Sequence, residues 1–201
     1  MERRSTNGDV SVETRADGGS KIVGYAAVFF RSDDPGSEYR MAPDLVERIS
    51  PKAFDAALSG GEDVRALYNH DPSQLLGRSK AGTLRLSTDQ RGLKYEIDIA
   101  DTTTGKDVAA SIARGDLSGS SFGFIVKSQK FDRSKDGDIR TLESVSLLDV
   151  GPVTYPAYEG TSTALRSGEC QDAIEARKAW STERDAVEVR TRLLTLENDL
   201  I

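Results

Sequence analysis

The chain has one cysteine, Cys170, and one histidine, His70, in 201 residues. A lone cysteine excludes an internal disulfide and any zinc site of the multi-cysteine type. A lone histidine argues against zinc enzymes that use two or three imidazoles. Composition leaves a carboxylate-only magnesium or calcium site open, but no loop has the calcium-binding pattern. Neither a metal nor a cofactor is expected. No apolar run approaches the roughly 20 residues that span a bilayer, and no secretory leader pattern is visible. The expectation is an intracellular, reducing compartment with no membrane partner. Positive charge is not in excess either: 27 Lys and Arg stand against 33 Asp and Glu, a net charge of −6. No global basic field therefore points to nucleic acid.

What is present suits one domain with a real core plus some tail. Residues 1–20 are polar and read as a flexible N-terminal arm. "KIVGYAAVFF" (21–30) reads as a first buried strand. "ISPKAFDAALSGG" carries helix punctuation, with Ser50 as N-cap, Pro51 in the first turn, and Gly60 and Gly61 as the stop. "VRALYNH" reads as a strand entering a turn at Asp71-Pro72. In "TLRLSTDQRGLKYEIDIA" (83–100), apolar residues alternate on both sides of a DQRG turn, which predicts a hairpin. "TTTGKDVAASIARG" predicts a short helix capped by Thr103 or Thr104 and ended by Gly115. "SSFGF", a polar tip "DRSKDGD" and the apolar "VSLLDVGPVTYPAY" complete the strands. The fold class expected is α+β: a mostly antiparallel, barrel-like β core with surrounding helices and a C-terminal helix.

Composition shifts near residue 168. Beyond it the chain loses most of its glycine and proline, and Val189, Leu193, Leu196 and Leu200 form an apolar stripe on a charged helix. Such a helix packs on its own domain, self-associates, or serves as a delivery tail that is later removed. The expected organisation is thus an arm at 1–20, a main domain at 21–168 and a helical tail at 169–201.

Three residues stand out as candidates for chemistry. If a strand begins at Ser121, then Phe122, Phe124 and Val126 share its core face, and Ser121, Gly123 and Ile125 the other. Ser120 has the parity of the phenylalanines, so Ser121 is the accessible hydroxyl. Gly123 leaves room beside it, which an extended substrate backbone could use. Gly119 permits an unusual backbone angle just before the serines. A strand merely passing close to a helix would use the same small residues. His70 supplies a base that a serine nucleophile requires, although a histidine beside an Asp-Pro turn is also an ordinary surface residue. Asp149 sits inside an apolar run, where a carboxylate needs a partner, and a histidine N–H is a good one. Asp71 and Glu143 are rival orienters. Asp71, adjacent to His70 on an extended chain, points the other way; Glu143 is farther along the strand.

These blocks in this order resemble the tailed-bacteriophage prohead (capsid-maturation) serine proteases, which are related in fold to the herpesvirus assemblins. The resemblance runs from about residue 22 to 165. It rests on "GYAAVF", "SPKAF", "ALYNHDPSQLLGR", "GTLRLSTDQRGLKYEIDI", "GDLSGSSFGF" and "LLDVGPVTYPAY". It implies an assemblin-like fold and an endopeptidase whose catalytic residues are His70, Ser121 and Asp149. The implied partners are the major capsid protein and scaffold segments, cleaved inside the prohead in the host cytoplasm, with self-cleavage and with self-association as an option. The alternative is a non-catalytic β-barrel capsid-assembly or scaffold protein with the same core. A general esterase is disfavoured: "GSSFG" (119–123) has the letters of G-x-S-x-G, but it reads as the start of a strand, where the elbow of the common esterase fold needs a sharp strand-to-helix turn.

Overall fold

The computed structural model of the chain describes residues 1–7, 10–15, 18–156 and 171–198. Cys170, the boundary near residue 168, Leu200 and the side chains of Leu193 and Leu196 lie outside that description. Eleven strands are described, in the order β1 (Glu2–Asn7), β2 (Ser11–Thr14), β3 (Ser20–Val28), β4 (Tyr39–Ala42), β5 (Leu45–Ile49), β6 (Arg65–Leu67), β7 (Leu75–Arg78), β8 (Leu84–Thr88), β9 (Gly92–Asp98), β10 (Gly119–Ser134) and β11 (Gly137–Val153). The helices described are α1 (Asp55–Ser59), α2 (Thr103–Arg114) and α3 (Gln171–Asn198).

The strands form two sheets. One runs β1-β10-β11-β5-β4, with β6 on the far half of β11 and β7 beside β6; the other runs β2-β3-β9-β8. Neither sheet closes on itself among the described residues, so the barrel expected from sequence is, in hydrogen-bonding terms, two open sheets sharing one core. The pairing is mostly antiparallel, but β11 runs parallel to both β5 and β6. Between those two partners the free edge of β11 is satisfied by other groups. Val145 N–H donates to Ala53 O at 3.0 Å, and Leu147 N–H donates to the Glu62 carboxylate at 2.6 Å. This hand-over keeps a buried strand edge hydrogen-bonded and carries the chain in register to Asp149.

The long hairpin of β10 and β11 is the central element. Phe122 and Phe124 are fully buried and stack on each other with centroids 4.8 Å apart. Phe54 meets Phe122 edge-on at 5.5 Å, and Phe29 lies 6.1 Å beyond it. Ile22, Ala26, Ala27, Tyr95 and Ile97 of the smaller sheet close the same core. The predicted hairpin at 83–100 is present as β8 and β9, with Leu84 opposite Ile97 and Leu86 opposite Tyr95.

Helix boundaries differ from the sequence reading in two places. The α-helix after Ser50 begins only at Asp55, because Ser50 closes a tight turn: its carbonyl accepts Ala53 N–H at 2.9 Å. The cap of α2 is Thr102, whose Oγ1 accepts Gly105 N–H at 3.1 Å, while Gly115 ends the helix in the left-handed region at φ 84° as expected. The first turns of α3 pack on the body of the protein. Ala173 is buried against Met41 and Leu45, Arg177 pairs with Asp44 and Asp138, and Trp180 stacks on Phe131. Farther along, Val187 and Val189 are exposed.

The largest departure concerns residues 2–7. Expected as a loose arm, they form β1, an antiparallel partner of β10 with Ser5 opposite Ser121. The cause is electrostatic. Arg4 donates to Glu47 at 2.6 and 2.9 Å and to Glu2 at 2.6 Å. Arg140 donates to Glu2 at 2.7 and 2.8 Å, to Glu47 at 2.6 Å and to Gln129 at 2.6 Å. Two guanidiniums and two carboxylates thus neutralise one another inside the protein, with Glu47 and Arg140 essentially without solvent contact. Burial alone would raise the Glu2 carboxyl, but the Arg140 and Arg4 guanidiniums hold it below its ordinary 4.5.

Removing one member strands the others. Arg140→Leu is expected to cost about 3–5 kcal/mol, measured by urea unfolding, with amide exchange in β1 accelerated first. Because the folded-state value of Glu2 is depressed, its contribution is complete above pH 4.5 and is lost as pH falls through that lower value. Glu2→Gln should therefore show a flatter fall of stability with acid below pH 4.5 than the parent, followed by thermal unfolding across that range.

Candidate active site

Ser121 and Ser120 are adjacent and both buried, yet they face opposite sides of β10. Ser120 points into the core, where its Oγ hydrogen-bonds Tyr95 Oη at 2.8 Å. Burial pushes the Tyr95 phenol up, so it remains a neutral partner. Ser121 points the other way, into a cleft lined by Arg3, Ser5, Asn69, His70, Val153, Thr154 and Tyr155. Strand parity therefore separates the two hydroxyls, Ser120 to the core and Ser121 to the cleft.

His70 reaches Ser121 from the loop after β6. Its Nε2 is 2.7 Å from Ser121 Oγ, and its Nδ1 contacts Asp149 Oδ1. An ionised carboxylate only accepts hydrogen bonds, so Nδ1 carries the proton and Nε2 of the neutral ring is the acceptor facing Ser121. Asn69 and His70 both occupy the left-handed region, at φ 53° and 57°. Two consecutive non-glycine residues there cost on the order of 1–3 kcal/mol each, and the surroundings hold them in place. Asn69 N–H donates to Pro152 O at 3.1 Å. Thr154 N–H donates to Asn69 Oδ1 at 2.8 Å, and Asn69 Nδ2 donates to Thr154 Oγ1 at 3.0 Å. Tyr68 Oη adds a further bond to Thr154 Oγ1 at 2.6 Å. The end of β11 thus clamps the histidine loop from both backbone and side chains.

The rival acids are occupied elsewhere. Asp71 caps the turn after His70 by accepting from Ser73 N–H at 2.8 Å and Ser73 Oγ at 2.7 Å. Glu143 accepts from Ser128 Oγ at 2.8 Å, on an exposed part of the hairpin.

The chain matches the caudovirus prohead serine protease family over residues 8–175. It belongs to that family. The prohead protease is accordingly a serine protease. None of the curated proteins compared with it matches. The solved structure of the bacteriophage T4 capsid assembly protease, gp21, is similar with a TM-score of 0.51, over 77% of this chain and 96% of that one, at 13% identity. At that identity the likeness is one of fold.

Two glycines of the prohead protease have roles other than those read from sequence. A Cβ on Gly123 would stand 2.5 Å from Asp149 Oδ2, so the missing side chain makes room for the carboxylate and not for a substrate backbone. A Cβ on Gly119 would stand 2.6 Å from the Pro156 ring, so this glycine serves close packing. Sequence reasoning missed Asn69, Thr154 and all of β1. Ser121 Oγ also lies 2.8 Å from the Arg4 carbonyl and donates to it, so one hydroxyl hydrogen has two acceptors, Arg4 O and His70 Nε2. No local pattern in "ERRSTN" advertises that contact. An Asn directly before the histidine is the one signal available in advance, since Asn tolerates φ > 0 better than most residues.

Gly123→Ala should push the Asp149 carboxylate away from His70 while leaving the core face untouched. The expected result is a fall of about 10²-fold or more in proteolysis with an unfolding midpoint close to the parent's. Loss of the downfield Nδ1–H proton resonance of His70 checks the cause.

Proposed function

We propose that Ser121 is the nucleophile, His70 the general base and Asp149 its orienting acid, in an endopeptidase that cleaves capsid-protein and scaffold segments. On this reading it works inside the unexpanded prohead in the host cytoplasm and later cleaves itself. The hydrogen-bonded line from Ser121 through His70 to Asp149, ending at a cleft, is the single observation that carries the reading. Ser121 Oγ attacks the scissile carbonyl as its proton passes to His70 Nε2. The tetrahedral species then expels the amine, which takes that proton from Nε2. A water repeats the sequence on the acyl-enzyme and returns the serine. Asp149 keeps Nδ1 protonated throughout and stabilises the imidazolium. Proton transfer by a positioned base of this kind is worth about 10² to 10⁴ in rate.

The protease domain on this reading is residues 21–168 together with β1 and β2, and 169–201 act as a scaffold-like tail. The exposed valines of α3 past the docked first turns favour that use. Substrate choice follows from what is enclosed with the enzyme before DNA enters.

The test is co-expression of the chain with its capsid and scaffold proteins, followed over time by intact mass. Ser121→Ala should abolish fragments of substrate and of the protease itself, and should abolish labelling by a fluorophosphonate. Identical fragments from the parent and Ser121→Ala would exclude the serine route. Ser120→Ala should still cleave, while losing about 1–3 kcal/mol of stability because it leaves a buried Tyr95 hydroxyl without a partner.

A further inference from the structure

Strand β1 forms one wall of the cleft that holds Ser121. Its even-numbered residues Glu2, Arg4 and Thr6 are buried, while Arg3 and Ser5 face the cleft. Register places Arg3 beside Gly123 and Ser5 beside Ser121. Gly123 in turn lies opposite Asp149. Arg3, Gly123 and Asp149 therefore form one row across the sheet, next to the row that carries the nucleophile.

Arg3 differs from the other arginines of this region. Arg4 and Arg140 are each saturated by carboxylates. Arg3 Nε is shut off from solvent and makes no hydrogen bond, and no described carboxylate stands within ion-pair distance of its guanidinium. Asp149, the nearest acid by register, is already engaged by His70. Among the described residues lining the cleft, Arg3 is the one drawn from Arg, Lys, Asp and Glu. A buried donor left unmade costs free energy, and a guanidinium fork matches a carboxylate better than any other peptide group. A ligand carboxylate would supply the acceptor that the described residues do not.

We propose that Arg3 is a specificity-determining residue that binds the carboxylate of an Asp or Glu side chain in the substrate, within two residues of the scissile bond. This rests on the assignment of Ser121 as nucleophile. The carboxylate belongs to a substrate side chain and not to the new C-terminus of the product, so the preference acts before the bond is cut. Hydrogen bonds to a charged group contribute about 1.5–3 kcal/mol, which corresponds to roughly a 10- to 150-fold preference for Glu over Gln at that one position.

The experiment profiles the bonds cut by the full-length protease in a denatured-protein peptide mixture, read by mass spectrometry, and then compares two fluorogenic peptides that differ only in Glu or Gln at the selected position. The parent should favour the Glu peptide in kcat/KM by 10-fold or more. Arg3→Gln should bring that ratio to about 1 by slowing only the Glu peptide, Arg3→Lys should retain part of it, and Arg3→Glu should turn the preference towards Lys or Arg. Fluorophosphonate labelling of every variant at the parental rate shows an intact nucleophile. A Glu preference unchanged in Arg3→Gln, or an equal loss on both peptides, would overturn the proposal. Strong product inhibition relieved by Arg3→Gln without a change in the Glu/Gln ratio would also overturn it. Cleavage by Ser121→Ala at the parental rate would instead remove the nucleophile assignment, so the two failures are told apart.

Discussion

The two faces of β10 are the constraint on which the site depends. Phe122 and Phe124 lock one face into an aromatic core shared by both sheets, and a strand so held has no freedom to rotate or slip by one residue. Ser121 is thereby fixed on the opposite face at a set height above the sheet. Gly123, on the same face, leaves a gap that the Asp149 carboxylate fills. One strand thus positions the hydroxyl directly and the acid through the space it leaves.

The histidine comes from a different kind of structure. Asn69 and His70 sit in a backbone region that non-glycine residues avoid, and they stay there because Pro152 and Thr154 at the end of β11 hold the loop. The same strand that carries Asp149 therefore also braces the loop whose ring Asp149 contacts. Mechanical coupling of base and acid through one strand accounts for how a loop can present an imidazole within hydrogen-bond reach of a serine.

The third wall is made by β1, which precedes the start of the family match at residue 8. Four buried charges attach it. A cluster of this kind is not a strong source of stability in itself, since desolvation offsets much of the attraction. What it supplies is register. Arg4 can reach Glu47, and Glu2 can reach Arg140, only with β1 in one alignment, and that alignment sets the Arg4 carbonyl against Ser121 and turns Arg3 into the cleft.

Much of this was legible in the residues. The alternation in "SSFGF" separates Ser121 from Ser120, because the side-chain period of a strand is two and the phenylalanines declare the buried face. An aspartate in "SLLDVGPV" needed a partner, and the chain's single histidine was the candidate. Hairpins and the α2 stop at Gly115 followed from turn chemistry that acts within a few residues. Other features depend on groups far apart in sequence. The polar start "ERRSTN" becomes a strand only because Glu47 and Arg140, 43 and 138 positions from their partners, supply opposite charge. Two open sheets in place of a barrel, and parallel pairing of β11, are matters of which edges meet. Local patterning settled which face each strand buries, since that follows from apolar spacing alone. Which strands became neighbours, and so which atoms surround the serine, was decided by the folded chain, because long-range charge pairing and edge satisfaction have no short-range signature.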